Sequence, residues 1–222
     1  MWNMLVEGLP NVSGVDQAVV GEAPNFESRA RTWIDRHGSD RTAIVQNASF
    51  MNLVDGGRAT VTLLQDDLRR MNTPSQQQEK NLAKSTARVT NSFLTAKSYQ
   101  EYNFDLIPLG VDAEMFQPMD KSHIRQELNL PDSKTAIFVG DLSPVKGWDE
   151  VRELIESRQD LHWIVVSKSD ARFDHPRVTM FNKVPQEKLA KLYNAADVFV
   201  LGSPVETQCL AAIEAGLCNV PI

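Results

Sequence analysis

Two glutamates, Glu206 and Glu214, stand in the apolar stretch GSPVETQCLAAIEAGLCNVPI with seven residues between them. A helix over ETQCLAAIEAG, expected from 206 to 216, sets the two carboxylates ~12 Å apart along its axis and within ~80° of each other around it. That separation suits two groups gripping different ends of one extended ligand, and it is too long for an acid and a base acting at one bond. Glu214 has Ala211, Ala212, Ile213, Ala215 and Leu217 as its sequence neighbours. A carboxylate in such company needs a partner or a ligand hydroxyl to accept from. Read alone, Glu206 is better explained as a first-turn acid complementing the positive end of the helix.

A third charged group follows another strand-like run. TAIFVG leads into GDLSPVKGWDE, where Gly140 allows a sharp exit and Lys146-Gly147 opens the next helix. A lysine beside unsatisfied helix N–H groups suits a diphosphate. The loop is neither a Walker motif nor G-x-G-x-x-G, so its spacing alone also describes a solvated lysine in a turn.

The elements that hold these residues are legible from periodicity. Residues 26 to 37 place Phe26, Ala30, Trp33 and Ile34 on one helical face, with Asn25 as cap and Gly38 as stop. Strands are expected at RTAIVQ, TVTLLQ, ARVTN and FDLIPLG (104–110), and helices at SQQQEKNLAKS and at SFLTAKSYQEY with Ser92 as cap. The loop GVDAEMFQPMD precedes a short helix from Lys121 to Leu128 and marks the expected boundary between domains 1–108 and 109–222. Beyond it the chain alternates: TAIFVG, KGWDEVRELIESR, LHWIVVS, RVTMF, PQEKLAKLYNAA, DVFVLG, ETQCLAAIEAG. The nearly continuous Val, Ile and Phe of the strands fit a sheet covered on both faces. Such alternation predicts an α/β fold of βαβ units, Rossmann-like, with a mostly parallel sheet whose ligands gather at the carboxyl ends of the strands.

Composition narrows the class of function. At 222 residues, 42% hydrophobic and 23% charged, the chain buries a real core. A net charge of -6 argues against a protein that chiefly neutralises nucleic-acid phosphate. Cys209 and Cys218 have neither metal-ligand spacing nor histidine neighbours, so no zinc site or disulfide framework is expected and reduced, cytoplasmic thiols are the default. The N-terminus lacks the basic start of a signal peptide, and no run reaches a membrane-spanning length. His37, His123, His162 and His175 match no motif and read as surface residues; Asp66 and Asp67 read as loop acids.

IPLGVDAEMFQP, IFVGDLSPVKGWDE, NKVPQEKLAKLYNAADVFVLGSPVE and the segment ending EAGLCNVPI resemble, in order and spacing, the retaining glycosyltransferases of family 4, which have the two-domain GT-B fold. The resemblance covers residues 104 to 222; before that only TNSFLTAKSY carries it. It implies transfer of a hexosyl unit, with retention, from a nucleotide-diphosphate sugar to an acceptor hydroxyl of a glycan, lipid or small molecule, with no metal or other cofactor. Lys146 would contact the diphosphate in the loop of Gly140, Asp141 and Ser143. Glu206 would meet the donor sugar near the reacting centre, and Glu214 would accept from the ribose hydroxyls. The backbone of Thr207, Gln208, Cys209 and Leu210 would receive the phosphates, and the base would lie near Asn182, Lys183 and Val184. The chain departs from the family at Asp141, where arginine is usual, at Cys209, where glycine is usual, and at Gln65 or Asp66, in place of a histidine. The resemblance places a further strand after NVPI, so a compact or truncated form is expected, with an open edge that a second copy would cover. The alternatives are a degenerate GT-B protein that binds nucleotide or a partner chain without turnover, and, behind it, a sugar-nucleotide epimerase. A lipid acceptor would go with peripheral attachment to a membrane.

Overall fold

The computed structural model describes residues 43–46, 60–71 and 76–222, so the helix expected over 26–37 lies outside the described residues. The chain divides into two compact units, one of Met1–Leu64 with Ser75–Val89 and one of Gln65–Pro74 with Thr90–Ile222.

In the first unit, β1 (Ala43–Gln46) runs parallel to β2 (Thr60–Leu64), with Ala43 opposite Thr60. Thr60, Thr62 and Leu64 alternate into the interior, so two of that strand's three buried side chains carry a hydroxyl. The hydroxyls are satisfied: Thr62 Oγ1 and Ser85 Oγ lie 2.6 Å apart, and Ser85 Oγ donates to Asn81 O at 3.0 Å. α1 (Gln76–Lys84) ends where Arg88, on β3 (Ala87–Thr90), folds back to donate to the carbonyls of Leu82 at 2.6 Å and Ser85 at 2.8 Å. A cation on these terminal carbonyls complements the negative helix end.

The second unit contains α2 (Phe93–Ser98), β4 (Asp105–Leu106), α3 (Lys121–Glu127), β5 (Thr135–Val139), α4 (Trp148–Ser157), β6 (His162–Ser167), β7 (Val178–Asn182), α5 (Gln186–Ala195), β8 (Val198–Phe199) and α6 (Leu210–Leu217). Ser92 caps α2 by accepting from Thr95 N–H, as its sequence position predicts. Four strands lie in the order β7-β6-β5-β8, and every pairing among them is parallel.

Successive strand residues point to opposite faces, and here both faces are buried. Ile137, Ile164, Val166 and Phe199 pack with Ile124 of α3, Leu192 and Tyr193 of α5 and Ala215 of α6. Ala136, Phe138, Trp163 and Val165 pack with Trp148, Val151 and Ile155 of α4. The uninterrupted apolar strands follow directly from this double cover.

Two strands are shorter than expected. FDLIPLG is a strand only at Asp105–Leu106: Ile107 N–H still donates to Thr90 O at 2.9 Å, but Pro108 has no N–H to give and Leu109 N–H goes instead to Gln208 Oε1 at 2.8 Å. DVFVLG is a strand only at Val198–Phe199; Val200 N–H still donates to Ile137 O, after which Leu201-Gly202 turns away to meet Gly147.

Asp197 ties the start of this sheet to α3. Its carboxylate accepts from Lys121 Nζ at 2.6 Å, Arg125 Nη2 at 2.8 Å and Thr135 N–H at 2.8 Å. Burial alone raises its pKa, but the bonds from Lys121, Thr135 and Arg125 outweigh burial and hold it at about 2. A carboxyl group with a depressed folded pKa adds stability that is complete above its unfolded value and is lost as pH falls through the folded one. Asp197→Ala is therefore expected to cost about 1–2 kcal/mol at neutral pH, the part-exposed site keeping the figure modest. Urea titrations should show the deficit shrinking as pH is lowered toward about 2; a deficit independent of pH would refute the electrostatic account.

Candidate functional site

The carboxyl ends of β5 and β8 face each other across two glycines. Gly140 leaves β5 with its N–H still on Val166 O at 2.9 Å. Ser143 then opens a tight turn over Pro144–Lys146, its carbonyl accepting from Lys146 N–H at 3.0 Å and Trp148 N–H at 3.2 Å. Gly147 joins this turn to α4 in the left-handed region, at φ 67°. A Cβ built there would fall 1.8 Å from Gly202 O, and one on Gly202 would fall 2.6 Å from Gly147 O. The two loops touch backbone to backbone, and only glycine allows the approach.

That contact sets the central ion pair. Lys146 Nζ donates to Glu206 Oε1 at 2.8 Å, with both side chains partly buried. The sequence separates these residues by sixty positions; the glycine contact brings them together. Cys209 follows Glu206 by three residues in the same loop, and the charges of Glu206, Lys146 and Glu214 all act on its thiol. Burial, before any of these charges, pushes the Cys209 thiol up.

The expected helix over 206–216 is corrected here. α6 begins at Leu210 with Cys209 as its cap residue, so Glu206, Thr207, Gln208 and Cys209 belong to the loop before it. Glu206 is thus neither a first-turn acid nor on a common helical face with Glu214. The physical reason lies in Gln208: its amide accepts from Leu109 N–H and donates to Leu109 O, both at 2.8 Å, and this two-bond clamp keeps the segment extended. Gln208 holds the 104–110 segment in place; its side chain is not offered to a ligand.

Glu214 is buried in the middle of α6, and Tyr193 O–H donates to its Oε2 at 2.8 Å. Tyr193 is the partner that sequence reading missed. Its ring is locked edge-on between Phe116 and Phe199, 6.0 and 6.1 Å between centroids, which fixes the hydroxyl. Burial raises the Glu214 pKa and the Tyr193 bond partly opposes it; the tyrosine hydroxyl is itself pushed far up, first by burial and then by the Glu214 charge. A raised carboxyl pKa contributes stability that is complete below the unfolded value and is lost as pH rises through the folded one. Glu214→Gln, which keeps an acceptor for Tyr193, is therefore expected to raise stability at neutral pH by about 0.5–1 kcal/mol. Thermal unfolding should show that gain vanish on acidification; a variant less stable than the parent at every pH would defeat the expectation.

The ends of β6 and β7 complete the edge. Ser167 is buried and donates to Asp141 Oδ1 at 3.4 Å, and Lys168 Nζ approaches Asp141 Oδ2 at 3.2 Å. Lys183 takes φ 50°, donates its N–H to Ser167 O at 2.8 Å and pairs through Nζ with Asp170. Val184 turns inward onto the core, and Asn182 Nδ2 donates to Ala171 O at 2.8 Å. Lys168 carried no sequence signal, since a lysine after a strand is ordinary.

Other readings change too. His162 and His175 are half-buried rather than on the surface: His162 bonds Thr179 Oγ1 at 2.9 Å, with burial lowering its pKa, and His175 stacks on Phe173. His37 lies outside the described residues. Asp67 is fully buried and accepts from Arg70 N–H at 3.1 Å, so it anchors a turn, whereas Asp66 is exposed. Gln65 is half-buried. Among the described residues no helix is long and apolar enough to cross a membrane.

Residues 120–222 match the family described as glycosyl transferases group 1. Among curated relatives, the D-inositol 3-phosphate glycosyltransferase of Segniliparus rotundus is 31% identical over 166 residues, covering 64% of this chain and 37% of the relative. The putative teichuronic acid biosynthesis glycosyltransferase TuaC of Bacillus subtilis is 34% identical over 135 residues, covering 57% and 34%. The chain thus spans about a third of the length of these relatives. In fold it is similar to a sucrose-phosphate synthase from Thermosynechococcus elongatus (TM-score 0.73, 20% identity, 89% of this chain and 59% of that one). It is also similar to Anabaena HepE in complex with UDP and glucose (TM-score 0.66, 17% identity, 88% and 61%).

Proposed function

We propose, from the match of residues 120–222 to the group 1 glycosyltransferase family, that the chain moves a sugar from a nucleotide-diphosphate sugar to an acceptor hydroxyl, with retention of anomeric configuration. The observation that carries this reading is the Lys146–Glu206 contact at the carboxyl ends of β5 and β8, where ligands of open parallel sheets collect.

In this scheme the bond between the anomeric carbon and the diphosphate oxygen breaks with its electron pair going to the diphosphate. The acceptor oxygen forms the new bond to that carbon, and its proton passes to the departing phosphate. Lys146 meets the negative charge that grows on the leaving group, which is the largest electrostatic demand of the reaction. Glu206, held 2.8 Å from Lys146, is placed to hold the sugar beside the same charge. Tyr193, whose one hydroxyl proton is committed to Glu214 Oε2, holds that carboxylate rigidly so that its other oxygen can accept from ribose hydroxyls. The nucleotide base would sit near Asn182, Lys183 and Val184. No step in this scheme calls for a metal, and a glycan, a lipid or a small molecule would each serve as acceptor. The resemblance supports retention and hexosyl transfer.

A screen of UDP-, GDP- and ADP-sugars by thermal shift tests the reading. Stabilisation by one class is expected, followed by nucleotide release when an acceptor is added and by loss of that release in Glu206→Ala. Absence of both stabilisation and calorimetric heat across the panel would refute it. A second reading, nucleotide binding without turnover, is favoured by one feature, the Asp141 carboxylate beside the proposed phosphate position. It predicts stabilisation without release.

A further inference from the structure

Three lysines stand at the carboxyl ends of the second unit's sheet, and each is held by an acid: Lys146 by Glu206, Lys168 by Asp141 and Lys183 by Asp170. The first two pairs share a corner. Gly140 directly precedes Asp141, and a Cβ built on Gly140 would stand 3.6 Å from the Cβ of Lys146. β6 lies in register beside β5, with Val139 opposite Val166, so Ser167 and Lys168 emerge next to Gly140 and Asp141. Ser167 Oγ anchors Asp141 Oδ1, and Ser167 is itself fixed by Ser169, whose N–H donates to it at 3.2 Å. Asp141 therefore stays put, while Lys168 reaches it from an exposed position, with 80% of its side chain accessible.

A diphosphate seated on Lys146 would meet the like charge of Asp141 at this corner, and a cation already engaged by that charge. Resting on the nucleotide-sugar reading, we propose that Lys168 is a second diphosphate-binding cation and that Asp141 competes with the diphosphate for it, so that Asp141 sets a ceiling on nucleotide affinity. Binding then proceeds by exchange of a carboxylate for a phosphate on the lysine. The exchange is easy. An exposed lysine–carboxylate pair is weak, being screened by solvent, and the flexible stem lets the ammonium swing without moving the backbone. Lys183 does not belong to this corner; it pairs with Asp170 beyond the end of β7.

The effect acts on phosphates and not on the nucleoside, which gives a clean test. Wild type, Lys168→Met and Asp141→Asn would be titrated by calorimetry with UDP, ADP and GDP and with the three matching nucleosides. Lys168→Met should weaken the diphosphate about threefold to tenfold, and Asp141→Asn should tighten it by a similar factor, from removal of one like charge near the surface. Both should leave nucleoside binding unchanged. Unaltered diphosphate affinity in Lys168→Met, or weaker affinity in Asp141→Asn, would overturn the inference while the functional reading stands. If wild type binds none of the diphosphates, the functional reading fails and this inference with it. Lys168 is exposed, so its variant folds, and that arm decides the matter even if Asp141→Asn does not.

Discussion

Gly147→Ala is expected to cost about 3–5 kcal/mol of folding stability, the range of the severe backbone and packing lesions, against a total of about 5–15 kcal/mol for a typical domain. Two effects combine. Gly147 sits at φ 67°, where any Cβ carries a penalty of about 1–2 kcal/mol. The new Cβ would also lie 1.8 Å from Gly202 O and 2.1 Å from its carbonyl carbon, and both are backbone atoms that no rotamer change can move. The β5–α4 and β8–α6 loops must therefore part. Parting them pulls Lys146 from Glu206, so nucleotide binding should fall with stability. Denaturant titration is the measurement, and Gly216→Ala in α6 is the control, because a Cβ there meets nothing within 4 Å and should be neutral or gain up to ~1 kcal/mol. Equal midpoints for the two variants would show that the glycine contact is not what joins the loops.

The second large effect is on the ligand. Lys146→Met should weaken nucleoside diphosphate binding about 10- to 100-fold, the usual range for losing a charge-assisted bond of 1.5–3 kcal/mol. Stability should change little, since the pair with Glu206 is partly exposed and worth no more than about 1 kcal/mol. The split separates a binding role from a structural one: calorimetry should register the loss while the unfolding midpoint stays in place. A midpoint that falls in step with affinity would make Lys146 a structural residue and remove the main support of the proposed function.

The parallel sheet and its helices were legible because burial on two faces leaves a direct trace in sequence. TAIFV and HWIVVS are apolar at consecutive positions, and Trp148, Val151 and Ile155 recur at helical spacing. Cap residues such as Ser92 were equally local, since a cap acts within three residues of itself. Lys146, Glu206 and Glu214 stand out as candidates by type and position, and the resemblance supplies the roles expected of them. The arrangement among them was not legible, because it depends on contacts between residues far apart in the chain. The helix over 206–216 fails for that reason: local propensity favours it, but Gln208 gains two bonds by reaching Leu109, ninety-nine positions away.

Residue order alone dictates the layered α/β unit, the carboxyl-end location of the charged residues and the need of Glu214 for a partner. Tertiary structure decided that the partner is Tyr193, that Glu206 meets Lys146 from a loop and not from a helix, and that Lys168 stands at Asp141. Periodicity and capping are short-range consequences of backbone geometry, and each can be read within a few residues. The meeting of two glycine backbones, the reach of an amide and the pairing of charges across strands arise only when distant segments are packed against one another.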